Sequence, residues 1–110
     1  MLVDFWATWC VPCVAQIPQI KEAYEQFHAK GFDVIGISSD GLQQSLQRFV
    51  EEKKLPWPQY FDGKDRENKF RIQYGIGEIP TTWLVDKKGI LREKEARNDL
   101  FGKVEKLLSE

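Results

Sequence analysis

The chain has 110 residues, 42% of them hydrophobic, a size and composition that suit one domain with a single packed core. Sixteen basic residues face seventeen acidic ones, for a net charge of −1, so there is no electrostatic footprint for nucleic acid or an acidic membrane surface. No apolar run approaches the roughly 20 residues of a membrane span, and two cysteines are too few for a disulfide-dense scaffold.

"LVDFW" (2–6) reads as a buried strand that leads into "ATWC". It lacks the charged start, apolar core and cleavage site of a secretory signal. A chain that opens inside a strand is expected to be a domain cut from something longer, and the residues leave the compartment open. From Val11 a helix is expected, with Pro12 in its first turn, where a missing N–H costs nothing. Val14, Ile17, Ile20, Tyr24 and Phe27 recur at spacings of three and four and predict one apolar face. Pro18 interrupts that pattern without ending it, which predicts a kink, and Gly31 is the expected C-terminal cap.

"FDVIGIS" (32–38) has the near-continuous apolar character of a central parallel strand. "LQQSLQRFVEEKK" predicts a helix with Leu42, Leu46, Phe49 and Val50 on one face. The two prolines of "LPWPQYF" predict a stiff extended connector. A short helix carrying Phe70 and Tyr74 follows. "TTWLVD" and "ILREKE" are then strands joined by "KKG" with Gly89 at the turn. The last helix, from Asn98, turns Leu100, Val104, Leu107 and Leu108 inward. The expected order is β-α-β-α-(short α)-β-β-α, an α/β fold with a mixed sheet covered on both faces.

Cys10 and Cys13, the only cysteines, lie three apart directly after a strand. A structural disulfide across so small a loop removes little unfolded-state entropy. Zinc needs about four ligands, and the chain offers two cysteines and the single His28, roughly 25 Å away along the helix. That distance also excludes His28 as the base of a Cys–His nucleophile, and it reads as a solvated or half-buried helix residue. A redox couple explains the placement. At a helix N-terminus, unpaired N–H groups and the macrodipole stabilise a thiolate. Cys10 is then the exposed nucleophile, and Cys13, one turn in, is shielded yet within reach of a mixed disulfide on Cys10. C-x-x-C opening a helix after a strand is a strong redox signal.

"VDFWATWCVPC", "EIPTTWLVD", "FDVIGISSD" and "VDKKGIL" resemble segments of the thioredoxin superfamily, specifically its TlpA/ResA-like, AhpC/TSA-related branch, over essentially the whole chain. The resemblance implies a thioredoxin fold: one three-layer α/β/α domain over residues 1–110 with a mixed central sheet. It further implies that the N-terminal hairpin usual in the branch is missing, which leaves a sheet edge uncovered. It also implies Cys10 as the attacking and Cys13 as the resolving cysteine. Asp4 matches the buried acid that takes the resolving thiol's proton; the bland alternative is an exposed strand-edge acid. Pro80 matches a cis-proline and Ile79 the residue whose backbone pairs with substrate; the alternative for Pro80 is an ordinary trans turn proline. Trp9, Val11 and Pro12 complete the implied substrate-facing set, while Trp6 reads as core and Pro18 as architectural.

Three positions depart from the pattern. Gln16 stands where the branch often has Glu, so acid–base work falls to Asp4. Asp4 itself stands where the branch often has Asn. Gly36 occupies the place of a lysine that some thioredoxins set near the buried acid.

The expected function is that of a protein thiol–disulfide oxidoreductase, a monomer without cofactor or metal. Its expected partners are disulfide-bearing proteins and a thiol electron donor, membrane-bound in the branch. The resemblance alone implies an extracytoplasmic setting. Two alternatives stand beside this reading. A thiol peroxidase would need P-x-x-x-T-x-x-C, where this chain has Val3 and Ala7. A copper-binding module of the related C-x-x-x-C kind would need one more residue in the spacer and a better-placed histidine.

Overall fold

The computed structural model describes residues 1–110. Five strands form one sheet in the order β3-β2-β1-β4-β5. In chain order the elements are β1 (Leu2–Trp6), α1 (Val11–Phe27), β2 (Val34–Ser38), α2 (Gln43–Lys53), β3 (Gln59–Tyr60), α3 (Lys69–Gln73), β4 (Thr81–Val85), β5 (Leu91–Glu93) and α4 (Leu100–Leu108). Single 3-10 turns cover His28–Lys30 and Asp65–Glu67. β1 pairs in parallel with β2, and β2 with β3; β1–β4 and β4–β5 are antiparallel. No helix is long and apolar enough to cross a membrane.

Strand period two sorts the sheet residues onto two unlike faces. Leu2, Trp6, Val34 and Leu84 join Ile17, Ile20, Ala23 and Phe27 of α1, Leu46 of α2, and Leu100 and Val104 of α4 in one buried cluster. Each large side chain buried there contributes about 1.5–3 kcal/mol. Val3, Phe5, Ile35, Ile37, Trp83 and Val85 point the other way, where only α3 approaches, through Tyr60–Phe70 and Tyr74–Trp83 ring contacts at 4.6 and 5.5 Å. The sheet is therefore covered unequally. Three helices pack on one face, while a five-residue helix leaves an apolar groove on the other.

Four local expectations change. The proline connector contains a fifth strand: Pro56 and Pro58 hold the chain extended, Pro58 accepts a bond from the Gly36 N–H at 3.0 Å, and Gly36 and Ile37 pair with Gln59 and Tyr60. Leu42 does not join the apolar face of α2. It is the N-cap, with extended backbone, and is 70% exposed. The buried stripe of α1 includes Gln16, whereas Val14 is only half-buried. Finally, α1 runs through Pro18 but ends at Phe27; the 3-10 turn intervenes before Gly31 closes the segment at φ 104°, a left-handed conformation that suits glycine.

Candidate active site at the start of helix α1

β1 delivers the chain to α1 through a tight loop in which the Cys10 N–H donates to Ala7 O at 3.2 Å. Cys10 is the N-cap of α1, with extended backbone (φ −93°, ψ 106°), and its Sγ accepts from the Cys13 N–H at 3.3 Å. The sulfur thus sits where helix N–H groups converge and the macrodipole is positive, the environment that stabilises a thiolate. Pro12 in the first turn removes no hydrogen bond the helix would otherwise make. Cys10 and Cys13 are joined as a disulfide, with Cα atoms 5.2 Å apart.

Cys13 is 1% exposed and Cys10 6%. Cys10 is thus more shielded than the exposed nucleophile expected from the sequence. The loop just before β4 lies against it, with the Ile79 carbonyl oxygen 3.9 Å from Cys10 Sγ. The Ile79–Pro80 bond is cis, and both residues are half-buried. Trp9, Val11 and Pro12 are exposed around the disulfide, so the implied substrate-facing residues share one surface with Ile79.

Asp4 lies under α1, on the same sheet face as Leu2 and Trp6, and is fully buried. It pairs with Gly36 on one side and Thr82 on the other. Neither neighbour supplies a cation, and burial alone pushes its carboxyl up to about 7. Asp4 Oδ1 and Thr82 Oγ1 have no hydrogen-bond partner, and neither has the buried amide of Gln16, one turn beyond Cys13. The site therefore combines a shielded thiol position with one carboxyl that titrates near neutrality.

A second polar layer escaped the sequence reading. The buried Asp40 carboxylate accepts from the Thr8 N–H at 3.1 Å, the Thr8 hydroxyl at 2.5 Å and the Ser38 hydroxyl at 2.7 Å. It thereby ties the loop before Cys10 to the end of β2. Asn68 caps α3 by accepting from the Phe70 and Arg71 N–H groups, and its Nδ2 donates to Ser38 O at 3.0 Å. Arg71 donates to Ile76 O, Gly77 O and Ser39 Oγ, bracing the approach to Pro80. "SSD" after an apolar strand and Asn68 before a short helix are weak local signals for the first two. Nothing local marks Arg71.

No group of three or more His, Cys, Asp or Glu side chains is placed to hold a metal ion. His28 is exposed, its Nδ1 2.9 Å from Phe32 O and 3.6 Å from Asp33. The core role read for Trp6 matches its full burial; its Nε1 donates to Gln59 Oε1 at 2.9 Å.

The AhpC/TSA family model matches residues 1–94. The thiol-disulfide oxidoreductase ResA of Oceanobacillus iheyensis is 31% identical over 93 residues, which are 84% of this chain and 47% of that protein. ResA of Bacillus cereus is 30% identical over 97% of this chain and 62% of its own length. The chain thus spans roughly half to three-fifths of these curated relatives. Among solved structures, the thioredoxin domain of a thiol-disulfide oxidoreductase from Bacteroides vulgatus superposes with a TM-score of 0.87 at 35% identity, covering 97% of this chain and 77% of that one. A thiol:disulfide interchange protein from a Bacteroides species gives 0.85 at 34% identity, over 99% and 72%. The chain belongs to the AhpC/TSA family and, within the thioredoxin superfamily, is a TlpA/ResA-like protein.

Proposed function

We propose that the protein is a thiol–disulfide oxidoreductase that reduces disulfides in other proteins. The carrying observation is the Cys10–Cys13 disulfide at the start of α1, with Cys10 beside the Ile79 carbonyl and within a rim of exposed Trp9, Val11 and Pro12.

In the reduced protein the Cys10 thiolate attacks one sulfur of a substrate disulfide docked along Ile79 and Pro80. The substrate S–S bond breaks, a Cys10–substrate disulfide forms, and the first substrate sulfur leaves as a thiolate that takes a proton from solvent. Cys13 gives its proton to the Asp4 carboxylate and attacks Cys10 Sγ. The second substrate thiolate leaves and is protonated, and Cys10–Cys13 is oxidised. Two electrons have moved from the dithiol to the substrate. A thiol donor must return them, and the family resemblance supports a membrane-bound donor and an extracytoplasmic setting.

Insulin disulfide reduction with excess dithiothreitol tests the reading. Cys10→Ser is expected to abolish catalysis, and pre-reduced Cys13→Ser, freed of dithiothreitol before mixing with insulin, to accumulate a covalent protein–substrate disulfide visible by mass. Full multi-turnover activity in Cys13→Ser would overturn the assigned roles. Equilibration with thiol buffers tests the direction: a potential near about −270 mV fits a reductant, and one near about −120 mV a disulfide donor.

A further inference from the structure

A pocket of about 280 Å³ opens beside the disulfide, lined by Trp9, Arg66, Arg71, Gly77, Glu78 and Ile79. Two of these residues already belong to the site: Trp9 precedes Cys10, and the Ile79 carbonyl lies 3.9 Å from its sulfur. The other feature of the pocket is its pair of guanidinium groups.

Arg71 is 7% exposed, an uncommon position for a permanent charge. A guanidinium has five N–H donors. Three are used, each on a neutral oxygen: Nε on Ile76 O, Nη1 on Ser39 Oγ and Nη2 on Gly77 O, at 3.2, 3.3 and 3.2 Å. The remaining N–H groups have no partner in the protein. Arg66 stacks its Cζ 5.9 Å from the centre of the Trp9 ring. Neither guanidinium forms an ion pair: those present join His28 to Asp33, Arg92 to Asp86 and Glu110, and Arg97 to Glu95. Asp65 acts on Arg71 at longer range, and Glu78 lines the pocket without pairing with either arginine. Burial and the charge of Arg66 both disfavour the Arg71 cation, against the weaker pull of Asp65. Two like charges held together, one buried with donors to spare, make a place where an incoming carboxylate gains charge-assisted and bidentate hydrogen bonds. Arg66 and Trp9, in contact with each other, line the same pocket.

We infer that this pocket is an anionic subsite that receives an acidic side chain next to the substrate cysteine attacked by Cys10, so that the preferred substrates are polypeptide disulfides with Asp or Glu beside that cysteine. The inference rests on the thiol–disulfide exchange reading and adds a substrate class to it.

The test uses the pre-reduced protein and three synthetic peptides that differ only in Glu, Gln or Lys beside a single cysteine. Each peptide is activated as a mixed disulfide with 2-thiopyridine. Attack of the Cys10 thiolate on the peptide sulfur forms the Cys10–peptide disulfide and expels 2-thiopyridone, whose absorbance reports the rate. The Glu peptide is expected to react about tenfold faster than the Gln peptide, equivalent to about 1.4 kcal/mol, with the Lys peptide slowest. Arg66→Gln is expected to bring the three rates to within about twofold, and Arg48→Gln, on α2 outside the pocket, to retain the preference. Added salt should shrink the preference, because the subsite opens to solvent. Equal rates for the three peptides on the native protein, or a preference that survives Arg66→Gln, would overturn the inference. If no peptide reacts faster than with Cys10→Ser, the oxidoreductase reading itself fails, an outcome distinct from loss of selectivity.

Discussion

Asp4 pairs with Gly36 across the parallel β1–β2 ladder, so the strand position beside the buried carboxyl carries no side chain. On the antiparallel side its neighbour is Thr82, which is neutral. Desolvation therefore acts on Asp4 without a compensating cation, and its carboxyl titrates at about 7 rather than near 4.

That displacement has a sign for stability. Between pH 4 and 7 the folded protein holds the Asp4 proton while the unfolded chain releases it, so stability falls as pH rises through this window. The stabilisation relative to alkaline pH is complete below about pH 4 and lost above about pH 7. A shift of about three units corresponds to about 4 kcal/mol. Asp4→Asn should remove this slope and make the protein more stable than the native form at pH 8. Urea unfolding of both forms at pH 4.5, 6 and 8 checks it; parallel pH profiles would refute the role of Asp4.

The same titration should appear in catalysis. Below about pH 7 Asp4 is protonated and cannot accept the Cys13 proton, so resolution of the mixed disulfide should slow as pH falls. Asp4→Asn should slow that step by about 100-fold at pH 8 and flatten its pH dependence near 7. Stopped-flow release of a fluorescent substrate thiol reads the step directly. A slow variant that keeps the native pH profile would assign the base elsewhere.

Asp40 joins the catalytic loop to the sheet by accepting from two groups of Thr8 and from Ser38. Asp40→Ala leaves those donors without their acceptor in a buried setting and should cost about 3 kcal/mol. The shift in denaturant midpoint at unchanged slope measures it. A change below 0.5 kcal/mol, about that of an ordinary surface substitution, would show that the network is ornamental.

A methyl group at Gly36 would collide with the side-chain amide of Gln59. That amide is not free to move without consequence, because its Oε1 accepts from the buried Trp6 Nε1. Gly36→Ala should therefore displace Gln59, leave the indole N–H unpaired, and destabilise the fold by about 2 kcal/mol. Combining it with Gln59→Ala relieves the collision, so the double variant should lose less than the sum of the single changes. Simple additivity would place the cause elsewhere.

The position of the cysteine pair was legible in the sequence because its signals are local. A strand pattern, a two-residue spacer and a proline in the first helical turn all fall within Leu2–Cys13. Core-facing residues such as Ile17, Ile20, Leu46 and Val104 were legible for the same reason, since helical periodicity needs only a dozen residues of context. Tertiary structure decided what local pattern cannot encode. β3 is two residues long and exists because β2 lies beside it. Gln16 is buried because its helical face meets the sheet, although amides usually lie outside. Leu42, apolar in the pattern, fell just outside the helix and stayed in water. The links of Asp40 to Thr8, Asn68 to Ser38 and Arg71 to Ser39 span about thirty residues each, and the Ile79 contact with Cys10 spans 69. These links were not legible along the chain because the partners become neighbours only when the sheet brings the ends of β1, β2 and β4 together.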